Sequence, residues 1–208
     1  MRPAFAALAL FATTDALAGG IAPIVTGGFH TEPVYFYSSA TDAGAGPPIA
    51  NPIDYEQYKV TQAIGNFGSG LELMLGDRDD LVQGVFRLYW LMDGPQYDPS
   101  GSGIVDEDFV VTQHRTGLRH IGTGTVGVQW GVFRAAQDKL KLGISLHVGS
   151  GFLTRNRTEF LLAQTGLNIG YTATRTLEVF VDVNYGLRVR KYLMHGAYAT
   201  AGLRILFD

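Results

Sequence analysis

The sequence predicts an all-β fold: a closed antiparallel up-and-down barrel of eight strands, led by a Gly/Pro-rich N-terminal extension. Its clearest support is the stretch 177–190. Odd positions from Leu177 to Val189 are all Leu, Val or Tyr, whereas Glu178, Asp182, Asn184, Gly186, Arg188 and Arg190 hold even ones, with Phe180 the one break. Strand side chains point to opposite faces with a period of two, so this is a strand with one apolar and one polar face. Its length is that of a membrane strand, because a soluble strand runs about five or six residues and a tilted bilayer-crossing one roughly nine to eleven. The second support is that such alternation recurs down the chain with short turns between, a meander whose closure removes both sheet edges. The third lies at the N-terminus.

There, Arg2 supplies a positive charge, residues 4–12 are apolar, and Ala16-Leu17-Ala18 precedes Gly19 as an Ala-x-Ala cleavage site. Residues 1–18 therefore read as a secretory signal peptide, too short in its apolar run to span a bilayer. No other segment reaches about eighteen consecutive apolar residues, which excludes a helical span. The chain beyond Ala18 has roughly 190 residues, one domain's worth. Cysteine is absent and the net charge is −3 without a basic run. Disulfides, cysteine-based metal or redox sites and nucleic-acid partners are thereby excluded.

Residues 19–60, rich in Gly, Pro and Ala with breakers at Pro47-Pro48 and Asn51-Pro52, form the extension: a lead-in, a lumen plug or an extra strand near Val34-Tyr35-Phe36-Tyr37. The barrel occupies 61–208. Its first strand, near 63–76, sets Phe67, Leu71, Leu73 and Leu75 against Glu72. After the turn 77–80 the second, 81–92, sets Phe86, Leu88, Trp90 and Met92 against Gln83 and Arg87. The long polar connection 93–107 leads to an untidy third strand, 109–119. The fourth, 123–134, opposes Val126, Val128, Trp130 and Val132 to Gly127, Gln129 and Gly131. The fifth opposes Leu140, Leu142, Ile144, Leu146 and Val148 to Lys141, Gly143, Ser145, His147 and Gly149. Past the polar loop 154–158, the sixth carries Leu161, Ala163, Leu167, Ile169 and Tyr171 on one face, the seventh is 177–190, and the last aligns Ala197, Ala199, Ala201, Leu203, Ile205 and Phe207.

A soluble barrel would expose its polar face and need Lys and Glu there. Here that face is mostly Gly, Ser, Thr, Asn and Gln, which suits the crowded inside of an eight-stranded barrel. The apolar face of the clean strands carries no charge, as lipid contact demands. Aromatics near strand ends (Phe152, Phe160, Tyr171, Tyr192, Phe207) fall where an interfacial girdle would lie. The barrel is read as transmembrane, apolar face outward.

The chain ends Thr200-Ala201-Gly202-Leu203-Arg204-Ile205-Leu206-Phe207-Asp208. A polar residue, a Gly two on, and bulky apolar residues at alternate positions ending in an aromatic (Thr200, Gly202, Ile205, Phe207) resemble the C-terminal assembly signal of bacterial outer-membrane barrels, apart from the trailing Asp208. With the signal peptide and eight amphipathic strands, the chain resembles the small outer-membrane barrels of the OmpA/OmpX class over residues 63–207, in pattern rather than identity. The resemblance implies export, chaperoned transit of the periplasm, insertion by the barrel assembly machinery, and contact with outer-membrane lipid and lipopolysaccharide. Eight strands with both termini periplasmic would, however, put the 93–107 connection on the periplasmic side, against the habit of this class. An uncounted strand near residues 34–37, or an error in the third strand, would change that.

If the apolar face meets lipid, then Glu72, Arg87, Lys141, Glu178, Asp182, Arg188 and Arg204 point inward, and Arg115 joins them. Buried charges are tolerable when paired, so these residues are expected to form an ion-pair network filling the lumen. A narrow polar channel is the rival reading; a wide open pore is disfavoured at eight strands. Some small outer-membrane barrels modify lipid A, using Ser and His within hydrogen-bond reach. Ser145 and His147 share a face, but in the reverse order to the deacylases and pointing inward, so no catalytic residue is assigned. Residues 65–70 look like a glycine loop but lack the Gly-Lys-Ser/Thr of a phosphate site. The five histidines (His30, His114, His120, His147, His195) show no metal spacing, and no cofactor is expected.

Overall fold

The computed structural model describes residues 18–37, 57–95, 104–105, 111–112, 118–153, 160–189 and 193–207; of the signal peptide expected at 1–18, residues 1–17 lie outside them. Its long strands are β1 (Gly19–Tyr37), β2 (Gln57–Leu75), β3 (Val82–Asp93), β6 (Arg119–Ala135), β7 (Leu140–Leu153), β8 (Phe160–Thr174), β9 (Leu177–Val189) and β10 (Leu193–Phe207). They pair in the order β10-β9-β8-β7-β6-β3-β2-β1, and β10 pairs with β1, so these eight antiparallel strands close into a barrel. Of two further strands, β4 (Ile104–Val105) pairs with β1 at Tyr35 and Phe36, and β5 (Val111–Thr112) pairs with β4.

The registers fix the barrel's stagger. Stepping across pairs from Thr123 runs through Tyr89, Gly70, Ile24, Gly202, Phe180 and Gly170 to Lys141 on β7, whereas Thr123 pairs directly with Gly151 on the same strand. The offset, 151 − 141, is ten residues. With ordinary strand spacings, eight strands staggered by ten tilt at about 40°, in the range where the interior is just wide enough for side chains to fill.

The eight-strand count holds, but two members differ from the sequence reading. Of the alternatives for residues 19–60, a strand, β1, is realised; it includes residues 34–37 but begins much earlier, at Gly19, which pairs with Phe207. Its period-two signal is weak because apolar Ala22 and Ile24 face inward while Pro23 and Gly27 break the outer row. Pro23 has no N–H to donate, and the β1–β10 register skips from Ile21 to Ile24 around it. The expected third strand, 109–119, is not a barrel strand. Within it only Val111–Thr112, in β5, and Leu118 and Arg119 lie among the described residues, and Arg119 opens β6. Gaining β1 and losing that strand removes the topological conflict: β1 ends and β2 begins, and β3 ends and β6 begins, at the end opposite the termini, while the turns after β2, β6 and β8 lie at the terminal end.

The outer face is apolar along every barrel strand. Leu71, Leu88, Ile144, Leu167, Val181 and Leu203 are exposed, while Glu72, Arg87, Lys141, Asp182 and Arg204 are buried, the inverse of a soluble barrel. Exposed Trp130, Phe133, Tyr171 and Phe207 ring the terminal end, and Phe29, Phe67, Trp90 and Tyr185 the other half, as two interfacial girdles would. No described helix is long and apolar enough to cross a membrane. This is a lipid-facing membrane barrel. Phe160 departs from the expected girdle: it is 7% exposed and points inward, because Leu161 takes the outward parity. The side chains of Phe152 and Tyr192 lie outside the described residues.

Local features fit the residues that carry them. Gly76 (φ +105°) makes the left-handed step of the β2–β3 turn. Between β6 and β7, Ala136, Gln137 and Asp138 all take positive φ. A bulge between Gly131 and Phe133 lets Val132 and Phe133 both face lipid, an adjacent apolar pair that strict alternation would not permit.

Candidate functional site

The interior holds two ion-pair networks at different depths. The one nearer the termini is built on β2, β3, β7, β9 and β10. Arg87 Nε donates to Glu72 Oε2 at 2.7 Å, and its Nη2 to Asp182 Oδ2. Arg204 Nε donates to the other Glu72 oxygen at 3.1 Å, its Nη1 reaches Glu178, and its guanidinium lies 4.3 Å from the Phe180 ring centre. His147 Nε2 is 3.3 Å from Asp182, and Lys141 Nζ donates to Gln83 at 2.5 Å. Direct cross-strand pairing of Glu72 with Arg87 and of Glu178 with Arg204 places these partners opposite one another.

The second network lies towards the far end. Arg119 grips Glu32 with two bonds, 3.1 and 2.9 Å, and also donates to Asp93 at 2.7 Å. Arg188 Nη1 donates to Asp93 at 3.3 Å, and its guanidinium sits between the rings of Phe160 (4.9 Å) and Tyr198 (5.3 Å). His30 Nε2 is 3.4 Å from Glu32, with Asn66 beside it.

Both networks are charge-matched among the described residues. Glu72, Glu178 and Asp182 face Arg87, Lys141 and Arg204; Glu32 and Asp93 face Arg119 and Arg188. Matching of this kind is what makes charge tolerable out of water. Large side chains fill the space between by lying on glycines. A Cβ at Gly202 would meet the Phe180 ring at 2.7 Å, one at Gly186 the Tyr198 ring at 2.5 Å, and one at Gly151 the Phe160 ring at 2.2 Å.

Glu72, Arg87, Lys141, Glu178, Asp182, Arg188 and Arg204 thus all face the lumen, and Arg188 belongs to the far network rather than to the other six. Arg115 lies outside the described residues. The sequence reading missed Glu32, His30, Asp93 and Arg119, which fell in the extension, the long connection and the untidy strand. Their inward parity became visible only once β1 and the start of β6 were placed.

Ser145 and His147 are both buried and make separate bonds: the Ser145 hydroxyl donates to Asn184 Oδ1 at 2.8 Å while His147 faces Asp182. Of the other histidines, His120 accepts from Trp90 Nε1 on the outside at 3.0 Å, His195 stacks on Tyr185, and His114 lies outside the described residues. No cluster of metal-ligating side chains occurs among the described residues. Of the assembly-signal residues, Ile205 and Phe207 face outward and Thr200 inward on β10.

No protein-family model matches the sequence, and neither does any curated protein. Solved structures similar to this chain include Neisserial surface protein A (12% identity, TM-score 0.45, 90% of this chain and 97% of that one). Others are the beta domain of the Bordetella autotransporter BrkA (10%, 0.38, 91% and 100%) and the outer-membrane protease OmpT of Escherichia coli (11%, 0.34, 95% and 100%). The barrel's own closure and its apolar exterior, rather than these distant likenesses, make the chain a membrane β-barrel.

Proposed function

We propose that the chain is an integral outer-membrane protein of a diderm bacterium whose lumen is shut by its own side chains, and whose role is structural or one of surface interaction. The observation that carries this reading is the pair of charge-matched networks stacked along a lumen that is already narrow at eight strands. An open ion path is favoured by fixed charge left unpaired, and here each described lumenal acid is bonded to a base. The longer connections gather at one end, which favours surface contact there. The Thr200, Gly202, Ile205 and Phe207 pattern supports delivery by periplasmic chaperones to the barrel assembly machinery, and the apolar belt supports contact with outer-membrane lipid and lipopolysaccharide. Because Ser145 donates to Asn184 and is sealed from lipid, the reading includes no catalysis.

Planar-bilayer recording on the purified barrel is the test. Insertion without unitary steps is expected, and discrete, reproducible conductance steps would overturn the shut lumen in favour of a narrow channel. Expression is likewise expected to leave lipid A mass unchanged; a mass shift that vanishes in His147→Ala would overturn the non-catalytic reading.

A further inference from the structure

The ion pairs of the interior are matched, but not all of its polar atoms have hydrogen-bond partners. On the inner wall formed by β6 to β9, the hydroxyls of Thr123 and Thr125, both amide atoms of Gln129, His147 Nδ1, Asn168 Nδ2 and Asp182 Oδ1 are buried without a hydrogen-bond partner among the described residues. Each of these residues is less than 4% exposed. Thr123, Thr125 and Gln129 share the inward parity of one strand, and Gln129 pairs across to Ser145, so these groups follow the barrel's length rather than scatter. At the far network the Asn66 amide oxygen is likewise buried without a hydrogen-bond partner among the described residues.

Buried polar groups are almost always hydrogen-bonded, and where protein supplies no partner, ordered water does, given several polar atoms within reach. Donors and acceptors both occur here: hydroxyls can do both, Asn168 Nδ2 donates, and Asp182 Oδ1 accepts. We propose that this wall carries a file of internal water joining the two networks, and that the barrel passes water, but not ions, along it.

The proposal rests on the ion-tight reading above. An ion entering the lumen would have to be dehydrated among carboxylates and guanidiniums already paired with one another, with no net fixed charge left to draw either sign in. Water needs only single donors and acceptors, which the wall leaves free.

The test is stopped-flow osmotic shrinkage of vesicles carrying the refolded barrel, with potassium and chloride leak measured in the same preparation. Water permeability several-fold above protein-free vesicles is expected, with no added ion leak. Thr125→Val/Gln129→Leu, folded by circular dichroism and gel mobility, should return to the protein-free rate, whereas the outer-face control Val126→Ala should keep the wild-type rate. Wild-type permeability equal to that of bare vesicles with ions still excluded would overturn the water file alone. Ion leak rising with water would instead overturn the shut lumen. Should the double variant fail to fold, magnetisation exchange between water and the Thr123 and Thr125 side chains in wild-type barrel decides: cross-peaks at both support the file, and their absence refutes it.

Discussion

Arg87→Met tests whether the interior is held by its charge matching. Arg87 is 2% exposed and bridges two buried carboxylates, Glu72 at 2.7 Å and Asp182. Hydrogen bonds to charged groups contribute about 1.5–3 kcal/mol each, and removing one partner from a buried ion pair costs about 3–5 kcal/mol. The variant turns a three-against-three network into three acids against two bases. Glu72 keeps Arg204, but Asp182 is left with His147 at 3.3 Å. A loss of about 3–5 kcal/mol corresponds to a drop in the folded-to-unfolded ratio between roughly a hundredfold and several thousandfold. The assay is reversible guanidinium unfolding in vesicles, followed by tryptophan fluorescence. Arg87→Met/Asp182→Asn restores the balance and should recover to within about 2 kcal/mol of wild type. Arg87→Lys should fall between, since one ammonium cannot reproduce a fork that reaches two carboxylates. The reasoning is refuted if the single variant lies within about 1 kcal/mol of wild type, or if the double variant is no more stable than the single.

Other consequences come from the same geometry. Val181→Arg places a charge on the lipid face mid-barrel and should destabilise the folded barrel by about 2–4 kcal/mol in the same titration, against little change for Val181→Leu. Gly202→Ala brings a Cβ to 2.7 Å from the Phe180 ring and 2.8 Å from the Pro23 carbonyl, so a loss of about 1–3 kcal/mol is expected. Adding Phe180→Leu should relieve only the ring's share of that loss, which thermal gel-shift midpoints would show. Ser102→Cys, in the connection opposite the termini, should react with a membrane-impermeant maleimide on intact cells, while Asp79→Cys, in the β2–β3 turn, should react only after lysis; the reverse pattern would invert the topology.

Legibility followed burial contrast. On β9 the two faces meet lipid and packed polar lumen, and the residues separate so cleanly that Leu177–Val189 could be read to its ends. On β1 the inner row mixes Ala22 and Ile24 with Thr26, His30 and Glu32, and Pro23 interrupts the outer one, so alternation fades although the strand closes the barrel. The bulge at Val132 is likewise hidden, since one extra residue shifts parity for everything after it.

The sequence by itself determined seven of the eight barrel strands, the inversion of the apolar face and the inward placement of seven charges, because period-two patterning depends only on residue order. Which charges meet was decided by the closed barrel: a stagger of ten residues sets the depth at which each strand presents its inward row. That is why Arg188, eleven positions past Leu177, joins Asp93 and the unexpected Glu32 and Arg119, while Asp182 joins Arg87. Partners 95 residues apart in the chain carry no trace of one another in local pattern, and only closure brings them to the same level.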